Sequence, residues 1–239
     1  MLGLPDDVQA CLFDLDGVLT DTAAVHRGAW KHTFDPVLEA HGQRPFSEDD
    51  YNDYVDGKPR LDGVRDLLAA RGIEVDEGGD DDPPDAETVH GIAARKNAEL
   101  MRRISEDGVH VYPGSKRYLE QAARAGLRRI VVSSSANTAQ VLQVTGLDEF
   151  IEHRIDGVTI EEKGLKGKPA PDSFLAGAEL AGVDPAHAAV FEDATAGVEA
   201  GRSGNFAFVV GVNRLDDSHA RALDQQGADI VVDDLADLL

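Results

Sequence analysis

Short apolar runs alternate with amphipathic stretches through the second half of the chain. The apolar runs "LRRIVVSSS", "HAAVFEDA", "AFVVGV" and "ADIVVDDL" are typical of buried β-strands. Between and before them, "GSKRYLEQAARAG", "NTAQVLQVTG", "PDSFLAGAELAG" and "ATAGVEAGRSG" have helical periodicity and end near glycine. This alternation predicts an α/β fold with a parallel sheet flanked by helices, to which "VQACLFD" adds a strand near the N-terminus.

The segment between residues 23 and 108 has a different pattern. It reads as helical, in "AAVHRGAWKHTFDPVLEAHG", "RLDGVRDLLAARG" and "AETVHGIAARKNAELMRRI", with no strand pattern between these stretches. We therefore predict two domains, an α/β core formed by residues 1–22 and 109–239 and an inserted helical domain formed by residues 23–108.

An acidic stretch, "EVDEGGDDDPPD" at residues 74–85, lies between two of the predicted helices. It lacks the spacing and the closing glutamate of a calcium-binding loop. We interpret it as a solvated, mobile loop.

The charge balance limits the partners of the chain. Forty-five acidic residues against 23 basic ones give a formal net charge of −22 over 239 residues. Such a surface repels nucleic acid and anionic membranes, so neither is an expected partner. A phosphate site would need local lysine, arginine, metal ion or backbone N–H groups.

The chain contains one cysteine, Cys11, so no internal disulfide can form. Cys11 lies in an apolar run, which favours packing in a strand over a reactive thiol because burial raises the pKa of a thiol. The sequence shows no signal peptide and no long apolar span, and we predict a cytoplasmic protein.

Two aspartates stand at the end of the first apolar run, in "CLFDLDGVLTDT". Side chains two positions apart share one face of a strand, so Asp14 and Asp16 start on the same side unless the turn at Gly17 rotates the second one. Two neighbouring anions imply a bound cation, a shared proton or exposure to water. The simpler alternative is a strand-to-loop boundary at which aspartate solvates a turn.

Further polar groups follow the other predicted strands. Open parallel sheets bind ligands beyond the carboxyl ends of their strands. The groups expected at that edge are Asp14 and Asp16 after "CLF", Ser133 to Ser135 after "IVV", Glu192 and Asp193 after "AAVF", and Lys168 before the helix of "PDSF". We expect these carboxylates, hydroxyls and the ammonium to converge.

These segments resemble the signature motifs of the haloacid dehalogenase superfamily, namely "DLDGVLTD", a serine after the second strand, the lysine of "GKPAPD" and the acidic pair of "FEDA". The stretches "FDLDGVLTDTAAVHRGAW", "RKN", "VYPG", "SSSAN", "KPAPDSF" and "EDATAGVEAG" are similar to its β-phosphoglucomutase subgroup. The resemblance implies a Rossmannoid core with a helical cap inserted between the first and second motifs.

The resemblance also implies a role for each core residue. Asp14 would be the nucleophile that forms an aspartyl phosphate, and Asp16 would be the acid/base. Lys168 would bind a phosphate oxygen while Ser133 donates a hydrogen bond. A Mg²⁺ ion would be held by Asp14, the backbone carbonyl of Asp16, Glu192 and Asp193. An aspartate at position 16 favours phosphate-ester chemistry, since dehalogenases of this fold lack it and transport ATPases of the family carry threonine there.

In the cap, the resemblance implies that Thr22 and His26 order Asp16 when the cap closes. It further implies that Arg60, Lys96 and Asn97 grip the distal phosphate and the sugar, and that Ser135 and Asn137 bind a second, non-reacting phosphate. The alternatives are a His26 that packs beside Trp30 one helical turn away, and lysine and arginine side chains on a solvated helix face.

The activity implied is a Mg²⁺-dependent β-phosphoglucomutase that acts through glucose 1,6-bisphosphate on a small-molecule sugar phosphate, and we expect a monomer. A sugar-phosphate phosphatase with the same nucleophile and a non-catalytic sugar-phosphate sensor are the alternatives. The cap departs from the subgroup by extra residues around "GQRPFSEDDYNDYVDGKP" and "EVDEGGDDDPPD". These insertions leave the sugar selectivity open.

Overall fold

The computed structural model describes residues 2–239. The chain divides into two compact units. The first comprises Met1–Asp21 and Val109–Leu239, and the second comprises Thr22–Gly108.

The first unit is built on a sheet of six parallel strands. The strands are β1 (Ala10–Phe13), β2 (Arg128–Val132), β3 (His153–Ile155), β4 (Ala188–Glu192), β5 (Phe208–Val212) and β6 (Ile230–Val232), in the spatial order β3-β2-β1-β4-β5-β6. The predicted fold class, a parallel sheet flanked by helices, is confirmed. Strand β3 was not predicted, because it has three residues and two of them, His153 and Arg154, are exposed at the sheet edge.

Within residues 2–239, ten α-helices complete the two units. The second unit contains α1 (Ala23–Ala40), α2 (Glu48–Asp50), which continues into a π-helical turn at Tyr51–Val55, α3 (Arg60–Ala70) and α4 (Val89–Asp107). The first unit contains α5 (Pro113–Arg124), α6 (Thr138–Thr145), α7 (Gly157–Lys163), α8 (Asp172–Ala181), α9 (Thr195–Ser203) and α10 (Asp217–Gln226). None of the helices in the described part of the chain is long and apolar enough to cross a membrane.

The central strands are buried on both faces, as the near-continuous apolar runs require. All four residues of β1 and all five of β4 are buried. On one face, helix α8 presents Phe174 to the cluster that contains Leu12 and Ile130. Cys11 is fully buried, and this burial raises the pKa of its thiol to about 12, so the side chain serves packing.

The strand order determines where the polar residues lie. Strand β1 pairs with β2 on one side and with β4 on the other, with Phe13 opposite Val131 and Phe191. Because all three strands run in the same direction, their carboxyl ends lie side by side at one edge of the sheet. The residues that follow β1, β2 and β4 are therefore neighbours, although they are far apart in the sequence.

The second unit has its own apolar core, which includes Trp30, Phe34 and Ile92. The carboxylate of Asp50 is buried there and accepts hydrogen bonds from Arg44, Arg71 and Ser47. Arginine and serine donors thus satisfy a buried charge that would otherwise destabilise the unit.

The acidic segment 74–85 of the second unit lies in turns and irregular structure. Its contacts include a hydrogen bond from the Thr88 hydroxyl to Asp82 and an ion pair between Arg65 and Glu77. Over residues 2–239, the one group of three acidic or histidine side chains close enough to share a metal ion lies elsewhere.

Candidate active site

Asp14 follows β1 and continues its alignment with β4. Its backbone N–H donates to the carbonyl of Phe191 at 2.9 Å, and its side chain is buried. The chain then turns sharply at Gly17, which has a φ of +89°. A side chain at this position would place a Cβ 1.8 Å from an Oδ atom of Asp193, so the turn requires glycine for space as well as for conformation.

Lys168 connects the strand ends electrostatically. Its ammonium donates to Asp14 Oδ1 at 2.6 Å, to Glu192 Oε1 at 2.5 Å and to the carbonyl of Val132 at 3.2 Å. The residue is 3% exposed, and these three acceptors use all three of its donors. The lysine therefore holds the ends of β1, β2 and β4 together.

Glu192 and Asp193 come at the end of β4. The second carboxylate oxygen of Glu192 accepts from the backbone N–H of Ala194 at 3.0 Å. Gly197, in the first turn of α9, lies directly against Glu192, and a Cβ there would come within 1.9 Å of Oε1. The backbone carbonyl of Asp193 lies 2.8 Å from the Nε2 atom of His219, which helps to fix the loop after the strand.

The acidic groups form a site that suits a divalent cation. Oxygen atoms of Asp14, Glu192 and Asp193 all lie within 4.8 Å of one another. Burial raises the pKa of Asp14, and the neighbouring Glu192 and Asp16 raise it further, while the Lys168 ammonium opposes them. One ammonium among several carboxylates leaves excess negative charge, and a hard cation with oxygen ligands would balance it.

Lys168 itself stays protonated. The carboxylates of Asp14 and Glu192 raise the pKa of this lysine above its ordinary value, despite the burial that acts against the charged form. The lysine is therefore protonated throughout the neutral range. It is a fixed positive charge next to the carboxylate of Asp14, for which the family resemblance implies the role of nucleophile.

Ser133, after β2, connects Asp16 to the loop that contains the other predicted phosphate ligands. Its hydroxyl donates to Asp16 Oδ2 at 3.3 Å and accepts from the backbone N–H of Ser135 at 3.1 Å. The hydroxyl of Ser135 in turn accepts from the backbone N–H of Asn137 at 3.2 Å. The carbonyl of Ser135 accepts from the backbone N–H of Gly157 at 3.0 Å, so the loop is held on the start of α7.

Five predicted residues lie in the second unit. Lys96 is 4% exposed, donates to His26 Nδ1 at 3.1 Å and lies 5.0 Å from the centre of the Trp30 ring. Since an ammonium has only donors, Nδ1 of His26 accepts and the ring proton resides on Nε2. Arg60, the first residue of α3, donates to Asn97 Oδ1 at 2.6 Å. Thr22 is buried directly before α1.

The structure thus brings the predicted core residues Asp14, Asp16, Ser133, Lys168, Glu192 and Asp193 to one edge of the sheet. The predicted residues of the second unit form two contact pairs, Lys96 with His26 and Arg60 with Asn97. Sequence reasoning missed Gly197, His219 and Arg214, although the motif "EDATAGVEAG" contains Gly197. Gly197 contacts the nearby Glu192. His219 contacts Asp193 and Arg214 contacts Gly17, both distant in the chain, and only the fold reveals these two contacts.

Comparisons with known proteins show the family of the chain. The family described as haloacid dehalogenase-like hydrolase matches residues 8–205. A β-phosphoglucomutase of Mycobacterium bovis is 56% identical over all of this chain and 94% of its own length. A β-phosphoglucomutase of Bacillus subtilis is 32% identical over 97% of this chain and 92% of its own. The crystal structure of β-phosphoglucomutase from Clostridium difficile has a TM-score of 0.78 at 26% identity and covers 97% of this chain and 93% of that one.

Replacing Lys168 with methionine tests the charge balance of the site. The variant leaves buried carboxylates uncompensated, so we expect the free energy of unfolding to fall by about 3 to 5 kcal/mol near pH 7. Without the ammonium the pKa of Asp14 rises further, and the carboxylates of the folded variant take up protons at a higher pH. The deficit should therefore shrink as the pH falls through the pKa of Asp14 in the folded variant. It stops shrinking where Asp14 of the folded wild type is protonated as well, because the carboxyl groups of the unfolded chain bind the same protons in both proteins.

Urea unfolding at a series of pH values measures this deficit. Lys166→Met is the matched control, because Lys166 lies two positions away and is exposed, and its stability should stay within about 0.5 kcal/mol of the wild type. A deficit for Lys168→Met that stays constant across the pH range would contradict the electrostatic explanation.

Proposed function

Because the chain belongs to the haloacid dehalogenase-like hydrolase family, we propose that it is a β-phosphoglucomutase that interconverts β-glucose 1-phosphate and glucose 6-phosphate. The observation that carries this proposal is the buried ion pair between Asp14 and Lys168, next to a second aspartate and an acidic cluster. The 56% identity to a full-length β-phosphoglucomutase supports it. The intermediate would be glucose 1,6-bisphosphate, which must turn round between two transfers.

Asp14 is proposed as the nucleophile. A carboxylate oxygen of Asp14 attacks phosphorus, the bond between phosphorus and the sugar oxygen breaks, and an aspartyl phosphate forms. The adjacent Lys168 ammonium, 2.6 Å from Asp14 Oδ1, balances negative charge on the transferring group. The backbone bond to Phe191 keeps Asp14 at the strand end while this happens.

Asp16 is proposed as the acid/base. When the sugar oxygen leaves phosphorus, the carboxyl group of Asp16 gives it a proton, and in the return direction Asp16 removes a proton from the attacking hydroxyl. The Ser133 hydroxyl donates to Asp16 Oδ2 at 3.3 Å, and we propose that it donates to a phosphate oxygen when substrate is bound. Two neighbouring carboxylates thus have two roles, one as nucleophile and one in proton transfer.

The acidic cluster fits a Mg²⁺ ion. Asp14, Glu192, Asp193 and the backbone carbonyl of Asp16 would hold it, and all of them offer the hard oxygen atoms that Mg²⁺ prefers. When bound, Mg²⁺ neutralises charge on the phosphate oxygens. The glycines Gly17 and Gly197 leave room for the carboxylates in this arrangement.

A mutase also has to bind the phosphate that is not reacting. We assign this role to Ser135 and Asn137 in the first unit and to Arg60, Lys96 and Asn97 in the second. The two cations are held by hydrogen bonds within the second unit, to Asn97 and to His26, which limits the freedom of their long side chains. Thr22 and His26 are proposed to make proton transfer by Asp16 depend on a bound sugar.

Replacement of Asp14 by asparagine tests the proposed nucleophile. The variant has a similar shape but no carboxylate, so turnover should fall by at least about 10³-fold and no phosphoenzyme should form. Mass spectrometry after acid quenching, with acetyl phosphate as donor, detects the phosphoenzyme. Turnover close to that of the wild type would exclude Asp14 as the nucleophile.

Gly197→Ala tests the metal site without removing a ligand. The added methyl group would overlap the carboxylate of Glu192 and displace it, so the Mg²⁺ concentration for half-maximal activity should rise about 10- to 100-fold. Because Glu192 is buried and paired with Lys168, circular dichroism first establishes that the variant is folded. Gly79→Ala is the control, since a Cβ there meets nothing within 4 Å, and its Mg²⁺ requirement should not change.

An unchanged Mg²⁺ requirement in Gly197→Ala would show that Glu192 is not needed at the metal. Loss of all activity in excess chelator is expected for the wild type, and retained activity would contradict the Mg²⁺ assignment.

The mutase and phosphatase activities differ in what accepts the phosphoryl group, sugar or water. With catalytic glucose 1,6-bisphosphate present, formation of glucose 6-phosphate should exceed phosphate release by at least about 10²-fold, equivalent to roughly 2.7 kcal/mol between the two barriers. His26→Ala should lower this ratio, because it slows transfer to sugar more than hydrolysis. His32→Ala, an exposed histidine on the same helix, should leave the ratio unchanged.

Phosphate release as fast as glucose 6-phosphate formation in the wild type would reject the mutase proposal. The chain would then be a phosphatase with the same nucleophile. The complete absence of turnover, with intact binding of a sugar phosphate, would instead indicate a sensor.

A further inference from the structure

Arg214 contacts the turn that follows Asp16. It lies in the loop after β5 and donates from Nε to the carbonyl of Gly17 at 2.6 Å and from Nη2 to the carbonyl of Val18 at 3.3 Å. Its remaining Nη1 donates to the carbonyl of Asp233, after β6, at 2.8 Å. One guanidinium thus connects the turn after β1 to the carboxyl ends of two other strands of the same sheet.

An aromatic ring packs against this guanidinium and fixes its orientation. The central carbon of Arg214 lies 3.7 Å from the centre of the Tyr112 ring. The backbone N–H of Tyr112 donates to the carbonyl of Leu19 at 3.1 Å, so the ring is attached to the same turn region. Burial raises the pKa of Tyr112 to about 12, so the phenol stays neutral and its ring face remains a partner for a cation.

The carbonyl that Arg214 holds belongs to the residue after Asp16. The α-carbon of Gly17 faces the carboxylate of Asp193, and the N–H of Gly17 donates to the carbonyl of Thr20 at 2.7 Å. Arg214 also binds the carbonyl, so the N–H, the carbonyl and the α-carbon of Gly17 each contact another residue. A rotation about the Gly17 backbone, which glycine itself would permit, would swing the Asp16 carboxylate away from its position.

We propose that Arg214 is a positioning residue that holds Asp16 in the orientation needed for proton transfer. This role rests on the proposed acid/base function of Asp16. Lysine could not replace Arg214, because its single ammonium cannot match the forked arrangement of three carbonyls or stack flat on Tyr112.

The test compares two phosphoryl donors in single-turnover formation of the phosphoenzyme. Glucose 1,6-bisphosphate has a sugar alkoxide leaving group that needs a proton, whereas acetyl phosphate releases acetate and needs none. Arg214→Lys and Arg214→Gln should slow transfer from the bisphosphate about 10- to 100-fold, since general acid catalysis contributes about 10² to 10⁴ and only part of it is lost. Transfer from acetyl phosphate should change by less than about 3-fold.

Arg202→Lys is the matched control. Arg202 also donates to a glycine carbonyl, that of Gly227, but it lies away from the site, so neither donor should be affected. Tyr112→Leu removes the ring under the guanidinium and should reproduce the donor selectivity of the Arg214 variants in weaker form. Asp16→Asn provides the benchmark, with a larger selective loss for the bisphosphate.

Equal losses for both donors in the Arg214 variants, next to a selective loss in Asp16→Asn, would overturn the role of Arg214 and leave the proposed function intact. If Asp16→Asn itself discriminates between the donors no more than the wild type does, the acid/base assignment fails, and the role of Arg214 fails with it.

Discussion

The arrangement of the candidate site depends on one buried ammonium. Lys168 lies between Asp14 and Glu192 at 2.6 Å and 2.5 Å, and it is 3% exposed. Burying these carboxylates without a counter-charge would cost several kcal/mol for each ion. The lysine therefore makes it possible to keep the carboxylate of Asp14, the proposed nucleophile, in a buried place. The ammonium also donates to the carbonyl of Val132, so a backbone hydrogen bond at the end of β2 helps to hold it between the two carboxylates.

The close packing of carboxylates around Lys168 also restricts which residues can lie beside them. Carboxylates that must converge need neighbours without side chains, and both Gly17 and Gly197 lie where a Cβ would overlap a carboxylate oxygen. The first of these glycines turns the chain after β1 and the second lies in the first helix after β4. The convergence of the carboxylates therefore depends on the two glycines, because any side chain at these positions would overlap a carboxylate.

The sequence reveals much of this site because its main residues follow buried strands. Apolar runs before Asp14, Ser133 and Glu192 predict strands, and parallel strands deliver their last residues to one edge. Strand β3 escaped prediction since two of its three residues are exposed and give no apolar run. Arg214 carries no local signal either, because its partner Gly17 is 197 positions away in the chain. Contacts of this kind follow from the strand order, which periodicity does not specify.

The proposed chemistry and the proposed selectivity belong to different parts of the chain. The proposed nucleophile and acid/base, Asp14 and Asp16, lie in the unit with the sheet. The residues proposed to make proton transfer depend on sugar, Thr22 and His26, and the proposed phosphate ligands Arg60 and Lys96 lie in the other unit. Each unit has its own apolar core, and the buried charge of Asp50 is satisfied within the helical unit. The ion pairs of Lys168 are likewise formed within the unit with the sheet.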